Sequence, residues 1–277
     1  MNRVAVGLLA AAVTAGTAAV LRSRPPGGRA RWQRTNFRSN EVDLLGGVAT
    51  AAGTVSGAVA TGGAAGAGAA LVAATGGVLG ALDDADTTST SKGLRGHVRA
   101  LGDGEVTTGL LKLVGISSAA LAAAGIATGY GRRSADGGWL ARTVDVGVSG
   151  ILIAGTANLV NLFDLRPGRA LKLVGAICAP LAVVPGPSGA VAAAGVGAVA
   201  ASWEGDLAEE TMLGDAGANA LGAVAGTALA LVPLARVRHV ATVVVVSLVL
   251  LSEKVSFTQI IARTPWLRAI DDWQRAG

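Results

Sequence analysis

Charge is scarce in this chain. Only 15% of its 277 residues are Asp, Glu, Lys or Arg, and 3% are aromatic. A soluble domain carries about 25% charged residues, so this composition cannot cover a water-facing globule. Cysteine is almost absent: Cys178 stands alone in an apolar stretch, which excludes an internal disulfide and reads as a small packing residue. The net charge of +5 is not the footprint of a nucleic-acid binder. The basic residues flank apolar runs and have no folded basic module around them, so no nucleic acid partner is expected.

What is abundant is apolar sequence in long runs: 51% of residues are hydrophobic, with 41 glycines and a mean hydropathy of +0.55. The expected fold is all-α, a polytopic membrane helix bundle of about nine transmembrane helices. Residues 44–82 hold no charge over 39 positions. As one helix they would extend about 58 Å, roughly two bilayers, so "ATGGAAGAG" is expected to fold them into a hairpin of two spans. The other spans fall at 4–21, 107–129, 143–163, 171–185, 187–203, 218–235 and 238–252. The first is read as retained, because the Arg-rich segment after it resists translocation. The glycine and alanine tracts read as small-residue faces for close helix packing. All five tryptophans (Trp32, Trp139, Trp203, Trp266, Trp273) fall in loops or at span ends, as an interfacial belt requires.

This division places loops 22–43, 83–106, 164–172 and 204–217 and the tail on one side. They hold sixteen of the 23 Lys and Arg residues, and six lie opposite. The positive-inside bias makes that side cytoplasmic, in a plasma membrane, with the N-terminus outside. Residues 1–252 form the membrane domain. Residues 253–277 form a basic amphipathic tail, split by Pro265 into two short helical segments along the inner surface. Sixteen of the 18 Asp and Glu residues are on the same side. Carboxylates contribute little to topology, so their concentration calls for a functional reason.

Three stretches carry them. In "LGALDDADTTSTSKGLRGH", Asp83 and Asp84 adjoin where an apolar run ends, the type of pair that with Mg2+ holds a diphosphate. In "TANLVNLFDLRPGRALK", Asn158, Asn161 and Asp164 recur every third residue on one helical face, with Arg166, Arg169 and Lys172 next to neutralise phosphate. In "EGDLAEETMLGDAGANALG", Glu204, Asp206, Glu209 and Glu210 have no basic neighbour, and Asp215 opens the next span.

These stretches, in this order and on one side, resemble the polyprenyl-phosphate N-acetylhexosamine-1-phosphate transferases, including the phospho-N-acetylmuramoyl-pentapeptide transferases. "RTNFRSNEVDLLGG" is similar to that family's first cytoplasmic loop, "DDADTTSTSKGLRGH" to its Asp-Asp motif, "NLVNLFD" to its Asn-x-x-Asn-Leu-x-Asp motif and "MLGDAGANALG" to its Gly-Asp-x-Gly-Ser motif. The resemblance covers residues 34–222 and implies Mg2+-dependent transfer of a sugar-1-phosphate from a UDP-sugar to polyprenyl phosphate, releasing UMP, in cell-envelope glycan synthesis. It implies catalytic, metal-binding roles for Asp83, Asp84 and Asp164. Asn158, Asn161, Lys92, Arg95, His97 and Asp215 would bind substrate. The chain departs from the pattern at Leu165, Pro167 and Ala218, and its tail has no counterpart to the family's uridine-recognising histidine loop. The alternative expectation is an inactive relative that binds polyprenyl lipid or scaffolds envelope proteins. A homodimer is compatible with either. A carrier fits less well, because the polar groups cluster at one face instead of the midplane.

The topology is testable. A Ser89→Cys variant should react with an impermeant thiol reagent only after the membrane is opened; labelling in intact cells would reverse the orientation.

Overall fold

The computed structural model describes residues 1–85, 107–129 and 138–275. Among these the architecture is an all-α bundle. Its helices are α1 (Arg3–Ser23), α2 (Leu45–Thr61), α3 (Gly63–Ala85), α4 (Thr108–Gly129), α5 (Trp139–Phe163), α6 (Arg169–Ala182), α7 (Pro187–Leu207), α8 (Gly214–Ala230), α9 (Ala235–Ser252), α10 (Phe257–Arg263) and α11 (Pro265–Asp272). The described strands are β1 (Gln33–Thr35) and β2 (Glu41–Asp43), an antiparallel ribbon pairing Gln33 with Asp43 and Thr35 with Glu41.

Five helices, α1, α3, α4, α5 and α9, are long and apolar enough to cross a bilayer; α2 is apolar but shorter. This is the pattern of a membrane protein. The hairpin expected within 44–82 forms at Gly62 and Gly63, both left-handed at φ 75° and 62°. Two consecutive residues with positive φ turn the chain at little cost only where neither has a Cβ. The expected split of the tail at Pro265 also forms, as α10 and α11. Other helix ends differ from the hydropathy estimate. Helix α6 runs from Arg169 to Ala182 instead of 171–185, and α8 begins at Gly214 instead of 218. Ala and Gly give weak hydropathy edges, and packing sets the true ends.

Helix α8 is the axis of the bundle. Of its 17 residues, 15 are buried, among them Ala216, Gly217, Ala220, Leu221, Gly222, Val224 and Ala228, and it packs against α2, α3, α5, α6 and α7. Glycine and alanine propagate helices unequally in water, but lipid demands that every backbone group be bonded within the segment, so a Gly-rich run remains helical there. Its small side chains then let neighbouring backbones touch. The core is accordingly built of Ala and Val with a few Leu and Ile. The large apolar side chains point outward: Val4, Leu8 and Val20 on α1, and Val240, Val243 and Leu250 on α9, are all exposed. Helix α9 buries only Arg238 and Val245.

The helices from α1 to α9 run alternately between two ends. One end gathers Arg3, the Gly62–Gly63 turn, Ala127, the 185–187 link and the 231–233 link around a cavity of about 790 Å3. The opposite end gathers the β ribbon, the C-termini of α3, α5 and α7, the N-terminus of α8 and the tail. At this second end α3 approaches α8 most closely. A Cβ on Gly80 would collide with the Asp215 carbonyl and the Ala216 amide.

Gly80→Leu should therefore force α3 and α8 apart and destabilise the protein by about 1–3 kcal/mol or more, as overpacking does. Gly16→Leu, at a position with nothing within 4 Å of the added Cβ, should be near neutral. Thermal unfolding midpoints in one detergent compare the two.

Candidate functional site

Asp84 is held where Gly80 lets α3 meet α8. Its Oδ1 accepts the Asp215 amide and its Oδ2 the Ala216 amide, both at 3.0 Å. A helix start leaves four N–H groups without intrahelical partners, and a carboxylate there also meets the positive end of the helix dipole. Asp84 thus caps α8 from another helix. The Arg34 guanidinium of β1 donates to the Asp84 carbonyl, which ties the ribbon to the same point.

One residue earlier, Asp83 Oδ2 accepts Lys112 Nζ at 2.7 Å, and the same ammonium contacts Asp215 Oδ2. Lys112 comes from α4. It bridges the Asp-Asp stretch of α3 and the first turn of α8, with side chains 17%, 22% and 25% exposed for Lys112, Asp83 and Asp215. Asn219, one turn on, donates to the Asp215 carbonyl at 2.7 Å.

Asp164 ends α5, its amide bonded to the Asn161 carbonyl at 3.1 Å. Burial pushes its carboxyl well above the ordinary value. The negative charges of Asp206, Asp215 and Asp84 push the same way, and the Gly214 amide pulls it back. Asp84, Asp164, Asp206 and Asp215 thus come from three stretches of the chain and lie close enough to influence one another. Asp206, at the end of α7, accepts the Gly168 amide at 2.6 Å, which fixes the 164–168 turn against the acidic loop.

Between the β ribbon, this turn and the 206–212 segment lies a cavity of about 290 Å3, lined among others by Phe37, Asp164, Arg166, Asp206, Glu209 and Met212. Arg166 sits over the Phe37 ring, its guanidinium carbon 3.8 Å from the centroid, a cation–π pair. The ribbon is joined to the far wall through Asp43: its amide donates to the Glu210 carbonyl at 3.2 Å, and its carbonyl accepts the Met212 amide at 3.0 Å. Glu209 holds a left-handed backbone at φ 58°, a strained choice for a residue with a Cβ.

Asp83, Asp84, Asp164 and Asp215 lie at one end of the bundle. Asn161 is half-buried and Asn158 exposed beside them. Neither amide hydrogen bonds another described residue, so the stripe presents two open amides. Lys92, Arg95 and His97 lie outside the described residues. Of the three cations expected beside Asp164, only Arg166 lines the cavity. Arg169 binds the tail bidentately, with Nε 2.5 Å from Asp271 Oδ1 and Nη2 2.8 Å from Oδ2. Lys172 Nζ donates to the Asp271 and Trp273 carbonyls, each at 2.7 Å. Burial pushes the Asp271 carboxyl up, but Arg169 and Arg275 more than offset this and hold it below the usual range. Trp203 and Trp273 complete the seam, 5.8 Å apart edge to face.

Lys112 carries a signal in the sequence: it is the lone charge in the apolar run 107–129, and such residues are functional candidates by default. Arg34, Phe37 and the role of Glu209 had no comparable signal. They are ordinary loop residues until the ribbon folds over.

The oxygen donors at this end suit a hard cation such as Mg2+, and the Lys112 ammonium already lies between two carboxylates as a cation would. Among the described residues no three His, Cys, Asp or Glu side chains gather closely enough to hold an ion by themselves. No protein-family model matches this chain, and no curated protein matches it.

Lys112→Met leaves Asp83 and Asp215 facing each other without a counter-charge. Removing one partner of a buried pair costs about 3–5 kcal/mol, and the partial exposure here puts the expected loss at the low end. Adding Asp83→Asn should restore part of it. Thermal unfolding of the single and double variants measures both, and equal stability of Lys112→Met and wild type would show that the bridge contributes nothing.

Proposed function

We propose that this protein is a nine-span transferase of the plasma membrane, with its N-terminus outside and its polar end in the cytoplasm. There it moves a sugar-1-phosphate from a UDP-sugar to polyprenyl phosphate. One observation carries the reading: Asp83 and Asp84, Asp164 and Asp215 come from three separate stretches and converge at one end of a lipid-embedded bundle, beside a cavity with Arg166 in its wall. Carboxylates brought together at a membrane edge are costly unless a cation or a ligand meets them.

The site would take Mg2+ on a reduced ligand set. Mg2+ is commonly held by one or two carboxylates together with substrate phosphates and water. Asp164 and Asp84 would be those carboxylates, while Asp83 stays paired with Lys112. When bound, the ion neutralises charge on the diphosphate and polarises its phosphorus for attack. In the reaction an oxygen of polyprenyl phosphate attacks the β-phosphorus of the UDP-sugar. The bond from that phosphorus to the bridging oxygen breaks, and UMP leaves with that oxygen.

The protein's own residues supply alignment and charge, which phosphoryl transfer needs more than covalent help. Arg166, at the cavity wall, would neutralise a phosphate oxygen. Asn158 and Asn161 would donate to the nucleotide-sugar along the open face of α5. Lys112 would hold Asp215 and Asp83 in place, and Asp84 would keep the start of α8 fixed beside them. Lys92, Arg95 and His97 would add donors from the segment after α3.

A second reading has a specific observation in its favour. Lys112 already neutralises two of the four carboxylates, and the tail engages Arg169 and Lys172. That arrangement suits a relative that binds polyprenyl phosphate without turning it over.

Purified full-length protein incubated with Mg2+, undecaprenyl phosphate and a panel of UDP-sugars should release UMP. Chelation should abolish release, and Asp164→Asn should lower it at least a hundredfold. Lipid binding with no UMP from any sugar nucleotide would establish the non-catalytic reading instead.

A further inference from the structure

We infer that the outward face of α5 is the interface between two parallel copies of this chain, joined at Asn158. The inference stands apart from the transferase reading.

Between positions 145 and 163 of α5 only Ile151 and Asn158 are exposed. They are seven residues apart, so they share one face. Val144, Gly147, Ile151, Ala154, Asn158 and Asn161 follow one another at alternating steps of three and four. That spacing is the seam of a left-handed helix pair. The flanks are occupied: α4 meets α5 at Gly150, where an added Cβ would touch Leu121, and α9 meets it at Gly155, against Val245. The face between those contacts is open among the described residues. Val144 is 54% exposed and Ile151 51%, and nothing lies within 4 Å of a Cβ on Gly147.

Apolar side chains rest against lipid at no cost, but an amide does not. Asn158 lies six residues before Asp164, about 9 Å inside the end of the span. Its side chain makes no hydrogen bond to a described residue. Hydrocarbon offers neither donor nor acceptor there, and a second copy of this chain offers both at the same depth. The membrane gives every copy the same orientation. Two α5 helices related by a two-fold axis along the membrane normal are therefore parallel, and Asn158 faces Asn158 of the partner subunit. Each carbonyl accepts from the opposite NH2 group, as seam asparagines do in parallel helix pairs. One N–H of each amide stays free, so the pairing leaves a donor for the nucleotide-sugar. Gly147 and Ala154 lie on the same seam, where small residues let two backbones approach.

Disulfide cross-linking in isolated membranes tests the interface, because the native cysteine, Cys178, is buried. Ile151→Cys and Val144→Cys should each give a covalent dimer on mild oxidation. Val243→Cys, 65% exposed on the lipid face of α9, should remain monomeric. Energy transfer between labelled full-length copies in bicelles reads the affinity. Asn158→Leu should weaken dimerisation about three- to twentyfold, and Asn158→Gln, which keeps an amide, should dimerise more tightly than Asn158→Leu. Failure of both seam cysteines to cross-link, equal cross-linking at Val243→Cys, or an unchanged affinity in Asn158→Leu overturns the inference. A wild-type chain that stays monomeric at every protein-to-lipid ratio also overturns it and leaves lipid as the occupant of the face.

Discussion

A carboxylate from one helix closes the N-terminus of another, and the polar end of this protein is arranged around that contact. Asp84 reaches the first amides of α8 because Gly80, one turn earlier, lets the α3 backbone lie against Asp215 and Ala216. Helix α8 is in turn the element on which most others pack. The contact therefore fixes both the bundle axis and the groups at its end. Asp215 is presented to Lys112, the Gly214 amide to Asp164, and the Asp84 carbonyl to Arg34 of the ribbon.

The surrounding lipid explains why the polar groups concentrate there. In hydrocarbon, apolar side chains gain nothing by turning inward, so the core is made of residues small enough to bring backbones together, and the larger ones face out. Ionisable groups cannot share that interior cheaply. They collect at the ends, and the two ends differ. At the far end Arg238 is buried against Asp145 at 2.6 Å and against the Val232 carbonyl at 2.9 Å, a local tie between α9 and α5. At the near end, among the described residues, carboxylates outnumber the cations that reach them, and a cavity opens beside them.

That imbalance gives the site its chemical character. Lys112 answers Asp83 and Asp215, and the tail draws Arg169 and Lys172 toward Asp271 and Trp273. Asp164 is left among like charges, its carboxyl pushed up first by burial and then by Asp206, Asp215 and Asp84. A cation arriving with a phosphorylated substrate would relieve this. The tail contributes by holding the turn after Asp164, where Arg275 donates to the Pro167 carbonyl at 3.2 Å. It organises the cavity wall and leaves Arg166 as the arginine at the cavity.

The sequence alone was enough for the helical class, the hairpin at Gly62–Gly63 and the break at Pro265. Each of these follows from local rules: charge-free runs of spanning length, glycines that tolerate positive φ, and proline's missing amide. The ends of α6 and α8, the bridge through Lys112, the capping of α8 by Asp84, the tail's hold on Arg169 and the cavity beneath the ribbon came only from the tertiary structure. These depend on which residues of different helices meet. In a chain this rich in Ala and Gly the periodic signal that would pair one helix face with another is nearly flat, so partners separated by 100 residues are set by how closely backbones can pack in three dimensions.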